Sequence, residues 1–215
     1  MFRSRTLAAA AIFAVTTVGA VAPANAAILG NPHAHGHATT TKTHTHAGHA
    51  SAQGVRQVLR DIAHLDKRLA RAATYVGKTA PASADRDTLL ANVATDRADL
   101  ATLADDVRTS GTVADVRAAR KDLRQVRWTN YIQAAHFLRT AAALSAKITS
   151  LSAQAQSGSP EETQLADAST QLATAVADAA AITARSTRAD VHAVRALLNS
   201  VQATLDSVST ALGVA

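Results

Sequence analysis

The 215-residue chain has no cysteine. That excludes disulfides, thiol nucleophiles, cysteine-ligated zinc or iron–sulfur centres and a lipid-modified cysteine anchor. Aromatic residues are only 3% of the sequence: one Trp, two Tyr and three Phe. The apolar fraction of 47% therefore rests on aliphatic residues, alanine above all. Alanine buries little surface, so any core is thin. Four prolines and nine glycines are too few for a turn-rich β fold. Charged residues are 18% of the chain and the net charge is +6, well short of a dedicated nucleic-acid-binding protein. Missing as well are a His-Glu-x-x-His helix, a Gly-x-Ser-x-Gly elbow and a phosphate-cradling glycine loop. Ser, His and Asp are present, but nothing in their spacing assembles a triad or an oxyanion hole. The expectation is a non-enzymatic protein.

What is present begins with an address. Arg3 and Arg5 form a basic head, residues 7–22 are apolar apart from Thr16 and Thr17, and Ala24-Asn25-Ala26 supplies the small-x-small pattern of a signal-peptidase site. The run of about 16 residues is short for a membrane helix, which needs roughly 20. Residues 1–26 thus read as a secretory signal cleaved after Ala26, with an uncleaved N-terminal anchor as the alternative. Cleavage would leave 20 basic residues against 16 acidic, a net +4, and a mature chain that is secreted, extracellular and without a transmembrane segment.

Residues 27–52 break with everything after them. They carry Gly30, Pro32, Gly36, Gly48 and the histidines His33, His35, His37, His44, His46 and His49, with no hydrophobic period. The expectation is a flexible arm. Neutral imidazole is a borderline-soft ligand suited to Zn, Ni and Cu, and alternating His-x-His in extended chain puts rings on one side. A His-rich tract is therefore a metal-site candidate. No Asp or Glu lies in the arm to fix the geometry, so a simple polar tether is the competing reading.

From Val55 onward apolar residues recur three and four apart. The first segment reads Val55, Val58, Ile62, Leu65, Leu69, Ala72, Val76, an a/d heptad seam. The second, capped by Ser83, reads Leu89, Val93, Asp96, Leu100, Leu103, Val107; Asp96 interrupts it and is expected at an edge beside an arginine. The third starts at Thr112 and runs through Val116, Ala119, Leu123 and Val126. It resumes as Ala134, Phe137, Ala141, Leu144, Ile148 and Leu151. The eight-residue step between Val126 and Ala134 is a stutter that a continuous helix over 112–156 would absorb by local unwinding. The fourth begins at Ser159-Pro160-Glu161-Glu162 and the fifth at Thr187, and no Gly or Pro separates them, so one kinked helix is also possible.

A shift of 75 residues superposes Thr112 on Thr187, Asp115 on Asp190, Val116 on Val191 and Leu123 on Leu198. The expected architecture is all-α: an elongated antiparallel helical bundle or coiled coil. A finer version has two spectrin-like three-helix units, residues 53–128 and 129–215, sharing the long third helix. Exposed seams would also permit self-association.

Arg117, Arg120, Lys121, Arg124 and Arg127 also recur three or four apart, which places them on one side of that long helix. They are candidates for binding a polyanion such as a cell-wall polymer, lipid headgroup or nucleic acid. The alternative is a solvated flank paired with the aspartates of the second segment. No aromatic residues interleave with them as base stacking requires. Trp128, Tyr131 and Phe137 gather at the stutter, where large rings fill a loosened seam. Asp61-x-x-His64 has di-iron spacing, but no second such pair accompanies it.

The stretch Asp122-Leu123-Arg124, then Tyr131, then Leu138-Arg139 resembles a pattern in uncharacterised secreted all-helical actinobacterial proteins, over residues 110–150. That resemblance implies export and helices and carries over no functional residue. The primary expectation is an envelope-associated or extracellular spacer or interaction module with a wall-polymer or protein partner. Metal binding through the arm and polyanion binding through the basic stripe are the alternatives.

Overall fold

The structure, a computed structural model, describes residues 48–214. Six helices follow one another: α1 (Ala52–Thr79), α2 (Ala84–Ser110), α3 (Val113–Leu123), α4 (Thr129–Ser152), α5 (Pro160–Ala180) and α6 (Arg188–Ala211). No strand occurs among the described residues. The all-α bundle is therefore the observed class.

Local chemistry starts most of these helices where the residues require it. Ser51, Ser83, Thr112, Ser159 and Thr187 each accept a hydrogen bond from a backbone N–H in the first turn of the helix they precede, satisfying a donor that has no intrahelical partner. Pro160 occupies the first turn of α5, where its missing N–H costs nothing. Gly111 ends α2 at φ 55°, in the left-handed region where a Cβ is strained.

The heptad seams become the core. Val58, Ile62, Leu69, Ala72 and Val76 of α1 are buried, as are Leu89, Val93, Leu100 and Val107 of α2. In α6, Val191, Val194, Leu198, Val201, Leu205 and Val208 are all buried. Twelve of the 35 buried apolar side chains among the described residues are alanine, which lets neighbouring helix axes approach closely. Helix α1 packs on α2, α3 and α4; α4 packs also on α5 and α6; and α2 reaches both α4 and α5.

The expectation for the third segment needs correction. The long third helix does not exist. It is broken at residues 124–128 into α3 and α4, so no helix is shared between two halves. An eight-residue step is accommodated by a stutter or by a break. Here a break wins because the Arg127 N–H leaves any helical ladder to donate to the Ala184 carbonyl at 2.7 Å. Residues 53–128 and 129–215 do meet near this break, but they have no separate interiors, since buried side chains from all six helices form one cluster. The fourth and fifth segments are two helices, α5 and α6, packed side by side.

The boundary of the His-rich arm also moves. Gly48 and Ala50 are tied to the turn after α2: the Ala50 N–H donates to the Gly111 carbonyl at 2.8 Å and the Val113 N–H to the Gly48 carbonyl at 3.1 Å. His49 thereby bridges to Thr112, and residues 48–52 belong to the helical body.

Because Leu205 is completely buried in α6, Leu205→Ala should destabilise the fold by about 2–5 kcal/mol. Urea unfolding followed by circular dichroism measures this; a loss under about 0.5 kcal/mol, typical of a surface site, would contradict the packing described.

Candidate functional site

The densest polar constellation surrounds the loop 181–187 between α5 and α6. This loop has no Gly or Pro and carries Ile182 and Ala184 into the interior, 2% and 0% exposed. Its carbonyls therefore need internal donors. Asn92 of α2 donates through Nδ2 to the carbonyls of Ala180 and Ile182, at 3.0 and 3.3 Å. Asn130 of α4 donates to those of Thr183 and Ser186, at 3.1 and 3.0 Å. With the Arg127 N–H on Ala184, five carbonyls are held from outside the loop.

Asp96 closes the arrangement from the acceptor side. One of its carboxylate oxygens accepts the Ala184 N–H at 2.8 Å and a hydrogen bond from the Tyr131 hydroxyl. The residue that interrupts the α2 seam is thus half-buried and bonded to a tyrosine and a backbone amide, not to an arginine. Tyr131 is 0% exposed. Burial, reinforced by the bond to and charge of Asp96, pushes its phenol well above the ordinary tyrosine range. No polar side-chain atom buried among the described residues lacks a partner.

The predicted site residues fare differently. His33, His35, His37, His44 and His46 lie outside the described residues; His49 is exposed at the bridge to Thr112. Among the described residues no three metal-ligating side chains come together. The Asp61/His64 pair is engaged locally: Asp61 accepts from Gln57 Nε2 at 2.9 Å, and His64 Nε2 accepts from Arg68 Nε at 2.8 Å. His136 meets the Tyr75 hydroxyl at 2.7 Å.

The basic stripe is split. Arg117, Arg120 and Lys121 lie on α3, but Arg124 and Arg127 lie past its end, so the five do not share one helix side. Arg120 and Arg124 line a groove against α1 that also contains Asp61 and His64. Arg127 lines a different cleft, toward α6. All five are exposed. None of them has a carboxylate within 4.0 Å among the described residues, so pairing with the aspartates of α2 does not occur. Of the aromatic cluster, Tyr131 and Phe137 are core, and Trp128 is half-buried with the Arg68 guanidinium 5.4 Å from its ring centre.

Asn92 and Asn130 escape sequence reasoning, since a lone asparagine within a helix carries no signal for the distant backbone it serves. Arg188, His192 and Arg195 escape for a similar reason, being far in sequence from Arg127. No family model, curated protein or solved structure matches the chain.

Tyr131→Phe should cost about 1–3 kcal/mol at neutral pH by leaving Asp96 one donor short. It should also change the alkaline profile. A raised folded-state value means that the stabilisation is fully present below the unfolded tyrosine range near ~10 and is lost as pH rises above it. Urea midpoints taken from neutral pH to about pH 11 should fall more steeply for the native chain than for the Phe variant. Parallel profiles would refute the coupling.

Proposed function

We propose that the chain is an exported, non-enzymatic helical protein that acts at or beyond the cell envelope as a spacer or interaction module. What carries the reading is the way polar groups are divided. Asn92, Asp96, Asn130 and Tyr131, buried or half-buried, are spent on holding a loop. Exposed cross-helix pairs such as Asp66–Arg97 and Lys147–Asp206 join neighbouring helices, at 2.6 and 2.7 Å. Export rests on the basic head, apolar run and Ala24-Asn25-Ala26 of the sequence, and the resemblance to secreted all-helical actinobacterial proteins supports it. None of the described helices is long and apolar enough to cross a membrane.

A second reading, polyanion binding by Arg117, Arg120, Lys121, Arg124 and Arg127, is favoured by one observation: these five cations are exposed without a carboxylate partner among the described residues. Cationic side chains without internal partners are free to displace counterions from an anionic polymer.

In an exporting bacterial host, the native chain should accumulate outside the cytoplasm with Ala27 as its first residue, while Ala26→Asp should retain the precursor. N-terminal sequencing reads the outcome, and an intact Met1 in the cytoplasmic fraction would sink the export reading. For the second reading, the triple variant Arg117→Ala, Arg120→Ala, Lys121→Ala should elute from heparin at distinctly lower salt than the native chain. Equal elution would remove α3 from any polyanion surface.

A further inference from the structure

The cleft that Arg127 lines opens between the start of α4 and the first two turns of α6, with a volume of about 440 Å³. Arg188, His192 and Arg195 of α6 line the opposite side, and Thr129 and Gln133 of α4 add neutral polar groups. No Asp or Glu contributes to its lining. Arg127, Arg188 and Arg195 also have no carboxylate within 4.0 Å among the described residues, whereas Arg86, Arg97, Arg108 and Arg185 each do. The acid nearest in sequence, Asp190, is committed to the cap of α6, accepting from the Thr187 N–H at 2.7 Å and its hydroxyl at 2.9 Å. Three arginines thus line one concave space whose walls include no carboxylate.

We propose that this cleft is a binding site for a phosphate-bearing ligand. A guanidinium presents paired N–H donors that match two oxygens of a tetrahedral oxyanion. A phosphate group carrying a charge of about −1.5 to −2 answers three arginines better than a single carboxylate does. The space lies within the range of small-ligand sites and holds more than one phosphate. Its walls are held in place independently of any ligand. Asn130, 5% exposed, is bonded to the 181–187 loop, the Arg127 N–H is bonded to Ala184, and the Arg195 guanidinium lies 6.0 Å from the Phe137 ring centre. Such preorganisation reduces the ordering cost of binding. The site shares Arg127 with the basic set of the second reading but none of the α3 arginines, and it holds whether or not the chain is exported.

Isothermal titration of the full chain with sodium tripolyphosphate, inorganic phosphate and citrate tests the proposal, together with flotation on vesicles containing phosphatidic acid. Tripolyphosphate should bind at one site per chain, and more tightly than citrate. Arg188→Ala should weaken it about tenfold, the scale of one charge-assisted bond, and Arg188→Gln should do the same if Ala perturbs the start of α6. Arg195→Lys, which keeps the charge but loses the fork, should weaken it several-fold. Arg108→Ala, which removes an exposed arginine already paired with Asp105 and outside the cleft, should leave the affinity within about twofold, below the roughly 1.4 kcal/mol of a tenfold change. Vesicle binding that depends on Arg188 would identify a lipid headgroup as the phosphate source, and its absence alongside tripolyphosphate binding a soluble one. Unchanged affinity in both Arg188 variants, equal binding of citrate, or an equal loss in Arg108→Ala would each overturn the proposal.

Discussion

A buried loop must not leave its backbone carbonyls without donors, and this constraint organises the middle of the molecule. Residues 181–187 enter the interior with Ile182 and Ala184 and carry no glycine or proline to turn on. In a solvent-exposed turn, water would take the free carbonyls. Here two asparagine amides and one backbone N–H take them, each brought from another part of the chain. An unmade bond in such a place costs on the order of 1–3 kcal/mol, a large fraction of a stability of about 5–15 kcal/mol. The α5–α6 turn and the α3–α4 break are therefore coupled, because the Arg127 N–H that leaves the helix is the donor that the loop needs.

That coupling explains why the core tolerates so much alanine. Alanine contributes little transfer free energy, so many small seams must be kept in register by something other than interlocking large side chains. The Tyr131–Asp96–Ala184 junction joins α2, α4 and the α5–α6 loop at one point. Tyr131 is also the largest side chain that is fully buried among the described residues. It combines the apolar bulk that the seam otherwise lacks with a hydroxyl that requires a defined partner, and a half-buried carboxylate in a helix seam is tolerated on the same terms.

Much of the helical framework was legible in the sequence because it depends on spacing alone. The three-and-four period in α1 names five buried residues of seven, Val55 and Leu65 being half-buried, and Ser83, Thr112, Ser159 and Thr187 mark helix starts through short-range hydrogen bonds. Breaks were less legible. A stutter and a chain break share one sequence signature, and only the distant Ala184 carbonyl decides between them. The same limit applies to Asp96, whose partner is a tyrosine 35 positions away and not the expected arginine. Of the candidate site residues, the arginines of α3 were visible as a periodic run. The α6 members of the cleft were not, because Arg127 and Arg188 are 61 positions apart and no local period links them.

The distribution of charge then separates structure from surplus. Five aspartates, Asp66, Asp87, Asp99, Asp105 and Asp206, take up exposed pairs. Such pairs contribute little stability each, on the order of 0–1 kcal/mol, so their absence elsewhere signals no instability. Like charges held close together do raise the free energy of the folded chain, modestly while water screens them. Arg127, Arg188 and Arg195 line one cleft without an acid among its walls, in a chain whose remaining arginines include several that pair with aspartate. An anion entering that space would relieve the repulsion and gain paired hydrogen bonds together. The cleft walls are anchored to the same loop that Asn92, Asn130 and Asp96 hold, so the interaction that stabilises the fold also holds the walls that carry the cations.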